Sequence, residues 1–153
     1  MRLIMGSDHQ GRGLCRSLRE HLDVGAISVE HVDPAGDDID YPDIAAMVAS
    51  AISNGQADFG ILICGTGIGM TIVANKFPGV RAAPCHSELV AEFCRRFTDS
   101  NVLCLPGDML GERSSLQIVE KWLATPFDGG RHADRLAKIR KIDAGLRGPR
   151  KKT

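Results

Sequence analysis

Net charge is missing from this chain: 19 Lys and Arg offset 19 Asp and Glu over 153 residues. Overall electrostatics therefore give no reason to expect nucleic acid or an acidic membrane surface as the main partner, and any anion site has to be local. No apolar run approaches the ~20 residues that a bilayer-spanning helix needs. The five cysteines, at positions 15, 64, 85, 94 and 104, form no CxxC pair and are odd in number. That argues against a disulfide framework or a zinc site and for a reduced, cytoplasmic setting. Met1-Arg2-Leu3-Ile4-Met5 runs straight into Gly6-Ser7-Asp8 without the pattern of a signal peptide. Low-complexity tracts, tandem repeats and an internal linker are also absent. The expectation is one domain over residues 1–144 and a basic tail, 145–153, whose glycines, proline and like charges leave it disordered.

What is present is an alternation of short apolar runs with longer stretches of helical period, the pattern of βαβ units and a parallel sheet covered on both faces. The strands are expected at Arg2–Gly6, Ile27–Val32, Phe59–Ile63, Val80–Ala83 and Asn101–Leu105. Helices are expected at Arg12–Leu22, with Leu14, Leu18 and Leu22 four apart, and at Tyr41–Ile52, with Ile44, Met47, Val48, Ala51 and Ile52 on one face. Ser87–Arg96 and Ser114–Leu123 read similarly, with Ser87 and Ser114 as possible N-caps. After Gly129-Gly130 comes Arg131–Ala144, whose apolar stripe of Leu136, Ile139 and Ile142 is thin. This last helix reads as an arm across a neighbour rather than as core.

The most informative stretch is Gly60-Ile61-Leu62-Ile63-Cys64-Gly65-Thr66-Gly67-Ile68-Gly69. An apolar strand ends in a thiol and passes at once into a glycine loop, so a reactive group and backbone donors stand side by side at the carboxyl end of a strand, where open α/β sheets place ligands. The same letters also fit a tight turn around a structural cysteine. Gly6-Ser7-Asp8-His9-Gln10-Gly11 ends the first strand at the same edge. Asp8 and His9 suit sugar hydroxyls, proton transfer or phosphate, and Asp8 equally suits an N-cap. Asp40-Tyr41-Pro42-Asp43 reads as a helix start, with Pro42 structural and Tyr41 open. Arg131 and Arg135, four apart, put two guanidinium groups on one helix face. They suit a phosphate grip or plain solvated surface.

Together Gly6–His9, Asp40–Asp43, Gly60–Gly69, Ala74-Asn-Lys-Phe-Pro-Gly-Val-Arg-Ala82, Asp99-Ser-Asn-Val-Leu103 and Gly129-Gly-Arg-His132 resemble ribose-5-phosphate isomerase B and its sugar-phosphate isomerase relatives, over residues 2 to about 143. The resemblance implies a Rossmann-like three-layer α/β/α sandwich with a five-stranded parallel sheet and a C-terminal helical arm. It also implies a homodimer or dimer of dimers with shared active sites, a phosphorylated monosaccharide as substrate, and neither metal nor cofactor. Matched residue by residue, Cys64 takes the place of the base that moves a proton between C1 and C2. Thr66 and the amides of Gly65, Gly67, Ile68 and Gly69 take the place of the loop that holds the cis-enediolate. A thiolate is required, so a nearby helix N-terminus is expected to depress the thiol's pKa. Asp8 and His9 match sugar and phosphate contacts, and Arg131 and Arg135 match phosphate-binding arginines given by a neighbouring protomer.

Two positions depart from the pattern. Phe97-Thr98 stands where many relatives have His-Asn, so the ring-opening histidine is missing while Thr98 keeps a polar group for substrate. Pro106-Gly107-Asp108 replaces a Gly-x-Arg turn, and Arg113, five residues on, is a possible substitute. His86, after the fourth strand, is a possible auxiliary group. The expected activity is an aldose–ketose isomerase of a phosphorylated sugar. The alternatives are a catalytically silent sugar-phosphate-binding homologue and, more weakly, a nucleotide or flavin domain.

Overall fold

The computed structural model describes residues 1–23, 27–32 and 40–145, so the expected disordered tail lies, apart from Gly145, outside the described residues. The elements run β1 (Arg2–Ser7), α1 (Arg12–Leu22), β2 (Ser28–Val32), α2 (Tyr41–Ser53), β3 (Phe59–Cys64), α3 (Ile68–Ala74), β4 (Ala82–Pro84), α4 (Glu88–Thr98), β5 (Val102–Pro106), α5 (Glu112–Ala124) and α6 (Arg131–Gly145). All strand pairs are parallel, in the order β2-β1-β3-β5-β4. β3 is central, with Leu62 paired to Gly6 on one side and to Cys104 on the other.

Strand alternation divides the core in two. Leu62 and Cys64 point to the face covered by α2 and α3, where they pack with Ile4, Val48, Met70 and Ala74. Ile61 and Ile63 point to the opposite face, with Met5, Leu18, Ile118 and Trp122 from β1, α1 and α5. A strand buried on both sides must be apolar throughout, which is why Phe59–Cys64 reads as an uninterrupted hydrophobic run. The result is the three-layer α/β/α sandwich with five parallel strands expected from the resemblance.

Three details differ from the sequence reading. β4 begins at Ala82 rather than Val80, because Val80 closes a turn onto Phe77 O at 3.2 Å and the Arg81 and Ala82 amides are taken by Asn101 Oδ1 and Asn75 Oδ1. α5 starts at Glu112 with Gly111 before it, which places Ser114 inside the first turn and not at the cap, whereas Ser87 does cap α4 by accepting from the Val90 amide. Met47 is 48% exposed; Ala45 and Ala49 fill the buried face of α2 in its stead.

Much of the motif from Ala74 to Asn101 serves the β4 crossover. Asn75 brackets the Ala82 backbone with bonds of 2.9 Å to both N–H and C=O, and Asn101 does likewise for Arg81 N and Gly79 O. Asp99, in the left-handed conformation at φ 46°, ends α4 and accepts from Arg81 at 2.9 Å and Arg95 at 2.7 Å. Arg95 is buried over the rings of Phe59 and Trp122.

Candidate active site

Three strand ends meet at one edge. Asp8 follows β1, Cys64 closes β3, and Pro106 closes β5, with the last two directly paired. Loop hydrogen bonds tie the ends together: Asp8 N donates to Ile63 O at 3.2 Å, Gly107 N to Cys64 O at 2.8 Å and Asp108 N to Gly65 O at 3.1 Å. Asp8 is buried, and its Oδ1 accepts from the Gln10 and Gly11 amides at 3.0 Å each. That is the structural role a short acidic side chain before a helix commonly plays. Its other oxygen has no hydrogen-bond partner among the described residues.

Above these ends opens a cavity of about 450 Å³, lined by Asp8, Cys64, Gly65, Thr66, Ile68 and Gly69, joined by Gln10, Tyr41 and Asp108. The Cys64 side chain forms part of the floor, 6% exposed, and its Sγ accepts a hydrogen bond from the Gly67 amide at 3.1 Å. Gly67 sits at φ 72°, with Leu105 C only 3.2 Å from where a Cβ would stand. Only glycine turns its N–H toward the sulfur without strain in that left-handed geometry. Thr66 Oγ1 accepts from the Ile68 amide at 3.3 Å, and Thr71 Oγ1 donates to Gly67 O at 2.7 Å, which holds the loop in one conformation. Gly67→Ala is therefore expected to lower stability by about 1–2 kcal/mol from the left-handed strain alone, and to lower activity further by displacing this donor. Thermal melts beside steady-state rates check both.

The other expected site residues are not brought into this cavity within the chain. His9 is exposed beside it. Thr98, at the end of α4, gives its hydroxyl to Cys94 O at 2.6 Å and lines a different groove. Arg131 and Arg135 are exposed on α6, Arg113 is exposed in the first turn of α5, and His86 is exposed beyond edge strand β4. Phe97 is stacked between Phe93 and His132, at centroid distances of 5.1 and 4.8 Å. Gln10 was not singled out from the sequence, although it lies in the same turn as Asp8. Tyr41 reaches the cavity because the Asp40–Asp43 capping box fixes the start of α2 beside Gly69.

The remaining thiols stand away from the cavity. Burial pushes Cys104 up to about 12. A hydrogen bond with Cys85 holds Cys94 down to about 7, and Cys94 lines the second groove. Among the described residues no group of three or more His, Cys, Asp or Glu side chains is placed to hold a metal ion, and no helix is long and apolar enough to cross a membrane.

The fold is shared with known proteins. The model of the ribose/galactose isomerase family matches residues 3–139. The chain belongs to that family. It is 37% identical over 143 residues to ribose-5-phosphate isomerase B of Escherichia coli, covering 93% of this chain and 96% of that protein. It is also 37% identical over 139 residues to D-erythrulose-4-phosphate isomerase of Pectobacterium atrosepticum, covering 90% and 91%. Ribose-5-phosphate isomerase B of Clostridium thermocellum superimposes with a TM-score of 0.91 at 41% identity, covering 95% of this chain and 99% of that one. The Mycoplasma genitalium enzyme, solved with bound ribulose 5-phosphate, gives 0.88 at 38% identity, covering 94% and 96%. The chain is thus a sugar-phosphate isomerase of the ribose-5-phosphate isomerase B type. Family membership decides against the nucleotide or flavin domain.

Proposed function

We propose that the chain interconverts an aldose phosphate and its ketose isomer, with Cys64 as the base. The Cys64 thiolate takes the proton from C2 of the open-chain aldose and leaves a cis-enediolate. The thiol then returns a proton to C1, while the hydroxyl proton passes from O2 to O1. The observation that carries this reading is the Cys64 sulfur on the cavity floor with a backbone N–H already aimed at it. Such a donor favours negative charge on sulfur. The Gly67 and Ile68 amides are engaged by Cys64 Sγ and Thr66 Oγ1, so the amides of Gly65 and Gly69 are the donors left for the enediolate oxygens. Preorganised donors of this kind lower the barrier because they need no reorientation as charge develops.

The substrate's phosphate needs cations, and the cavity's own walls contain none. A second copy of the chain supplies them in this reading. α6 leaves Ile139 and Ile142 exposed beside Phe93, around an apolar groove of about 720 Å³ formed with α4 and β4. Such a patch suits an interface between copies. It would deliver Arg131 and Arg135 to the neighbour's cavity, with two guanidinium forks for one phosphate.

Phe97, locked in an aromatic stack, cannot transfer a proton to open a sugar ring. A tetrose 4-phosphate has no free hydroxyl at C4 and so cannot form a furanose ring, and it needs no such help. We therefore place erythrose 4-phosphate beside ribose 5-phosphate as a substrate of this enzyme. Ketose formation from erythrose 4-phosphate, ribose 5-phosphate and allose 6-phosphate tests the proposal. Turnover of at least the first is expected, and binding of all three without conversion of any would reject the reading.

A further inference from the structure

The nine residues around the cavity include two carboxylates, Asp8 and Asp108, and no Lys, Arg or His. Asp8 is buried and spends one oxygen on the loop amides, whereas Asp108 is exposed at the rim. The Asp108 backbone is fixed by its N–H to Gly65 O at 3.1 Å, but its carboxylate has no hydrogen-bond or ion-pair partner among the described residues. Its direction is nevertheless defined. Asp108 Oδ2 lies 2.6 Å, and Gln10 Oε1 2.5 Å, from the point where a Cβ on Gly65 would stand. Two polar groups from the β5 and β1 ends thus converge over the residue next to Cys64, in space that exists because Gly65 has no side chain.

From this convergence we infer that Asp108, assisted by Gln10, is a specificity-determining residue that accepts a hydrogen bond from the hydroxyl on C3 of the substrate and turns the phosphate away from this wall. The inference rests on the isomerase reading given above. A carboxylate accepts strongly from a hydroxyl and repels a phosphate at the same position. C3 is the first carbon beyond the pair that exchanges the proton, and the Asp108 and Gln10 oxygens stand one residue along from the base. The phosphate is thereby directed toward the part of the rim away from Asp108, where cations from outside this protomer can reach it. Sugars lacking the C3 hydroxyl leave Asp108 facing an empty position, and a site built around such a contact discriminates against them.

The test compares D-erythrose 4-phosphate and D-ribose 5-phosphate with their 3-deoxy analogues, on wild type, Asp108→Ala, Asp108→Asn and Asp108→Arg. Both kcat/KM and calorimetric Kd are read. For wild type the 3-deoxy analogues are expected to be poorer by about 10- to 100-fold, the range of a hydrogen bond to a charged group. Asp108→Ala is expected to lose that factor on the parent sugar and nothing further on the analogue, so the preference disappears. Asp108→Asn, which keeps an acceptor without the charge, is expected to fall between. A preference for the hydroxylated sugar that survives Asp108→Ala overturns the inference. So does tighter binding of either sugar phosphate by Asp108→Arg, which would make this wall a phosphate subsite. Turnover with an Asp108-independent preference faults this inference alone. Absence of turnover, with a hydroxyl preference in Kd that Asp108→Ala removes, faults only the isomerase reading. Failure of all the sugars to bind rejects both.

Discussion

Cys64→Ala is expected to cut isomerase turnover by about 100- to 10,000-fold, the range associated with loss of a positioned general base. Binding of the sugar phosphate should change much less. The contrast follows from geometry. In the proposed mechanism the sulfur is the proton acceptor at the cavity floor, while the Gly65 and Gly69 amides, Asp8 and Asp108 keep their positions around it. Alanine removes one atom from a site that is already at the cavity surface, and the loop remains fixed by Thr66, Thr71 and the Gly107–Cys64 backbone bond. Melting temperature should therefore move by only a few degrees. Cys64→Ser is expected to restore little, since a hydroxyl is a far weaker base than a thiolate at neutral pH. Rates and Kd measured on the same preparations separate loss of chemistry from loss of binding. Alkylation is a poorer tool, because Cys94 lines the second groove and offers the reagent another thiol.

Arg131→Ala with Arg135→Ala is expected to raise KM for a phosphorylated substrate by about 100-fold or more, with two charge-assisted contacts each contributing about 1.5–3 kcal/mol. A loss that large would be unexplained if the pair were solvated surface. Both side chains are exposed on α6 and neither lines the cavity of its own protomer. Mixing subunits tests where they act. One protomer carries Cys64→Ala and the other the double arginine substitution. If the arm crosses to the neighbour, each mixed dimer contains one site with an intact thiol and both arginines, so activity returns toward half of wild type. If the arm serves its own protomer, neither site is whole and activity stays low. An unchanged KM in the double variant would remove the arginines from phosphate binding.

Legibility in the sequence followed the physics of each element. The bounds of α1 and the apolar strand expected at Phe59–Ile63 were readable because burial imposes a strong period on a helix and continuous apolarity on an interior strand. The start of β4 was not, because side-chain bonds from Asn75 and Asn101 decide where the ladder begins, and these join residues distant along the chain. Gly111 opens α5 without a capping side chain, so the serine that looked like a cap had nothing to cap. Asp8, Cys64, Gly65, Thr66, Ile68 and Gly69 could be grouped beforehand because a parallel sheet carries the ends of β1 and β3 to one edge. Gln10 left no comparable trace, since the direction of a loop side chain has no period. Asp108 stood out from the sequence only as a departure from the family pattern, and its convergence with Gln10 on Gly65 required coordinates. The partners proposed for Arg131, Arg135 and the apolar groove belong to a second copy of the chain, which the pattern of one sequence does not display.

The central claim is proton transfer at C2 through Cys64, and solvent isotope exchange addresses it most directly. Erythrose 4-phosphate and ribose 5-phosphate incubated with wild type in deuterated water, and followed by NMR, should gain deuterium at C2 of the recovered aldose and at C1 of the ketose. Cys64→Ala should show neither label. Ketose formed by Cys64→Ala at an undiminished rate and without any solvent deuterium would point to internal hydride transfer, and exchange that persists in Cys64→Ala would assign the base to another residue. Either result would contradict the account.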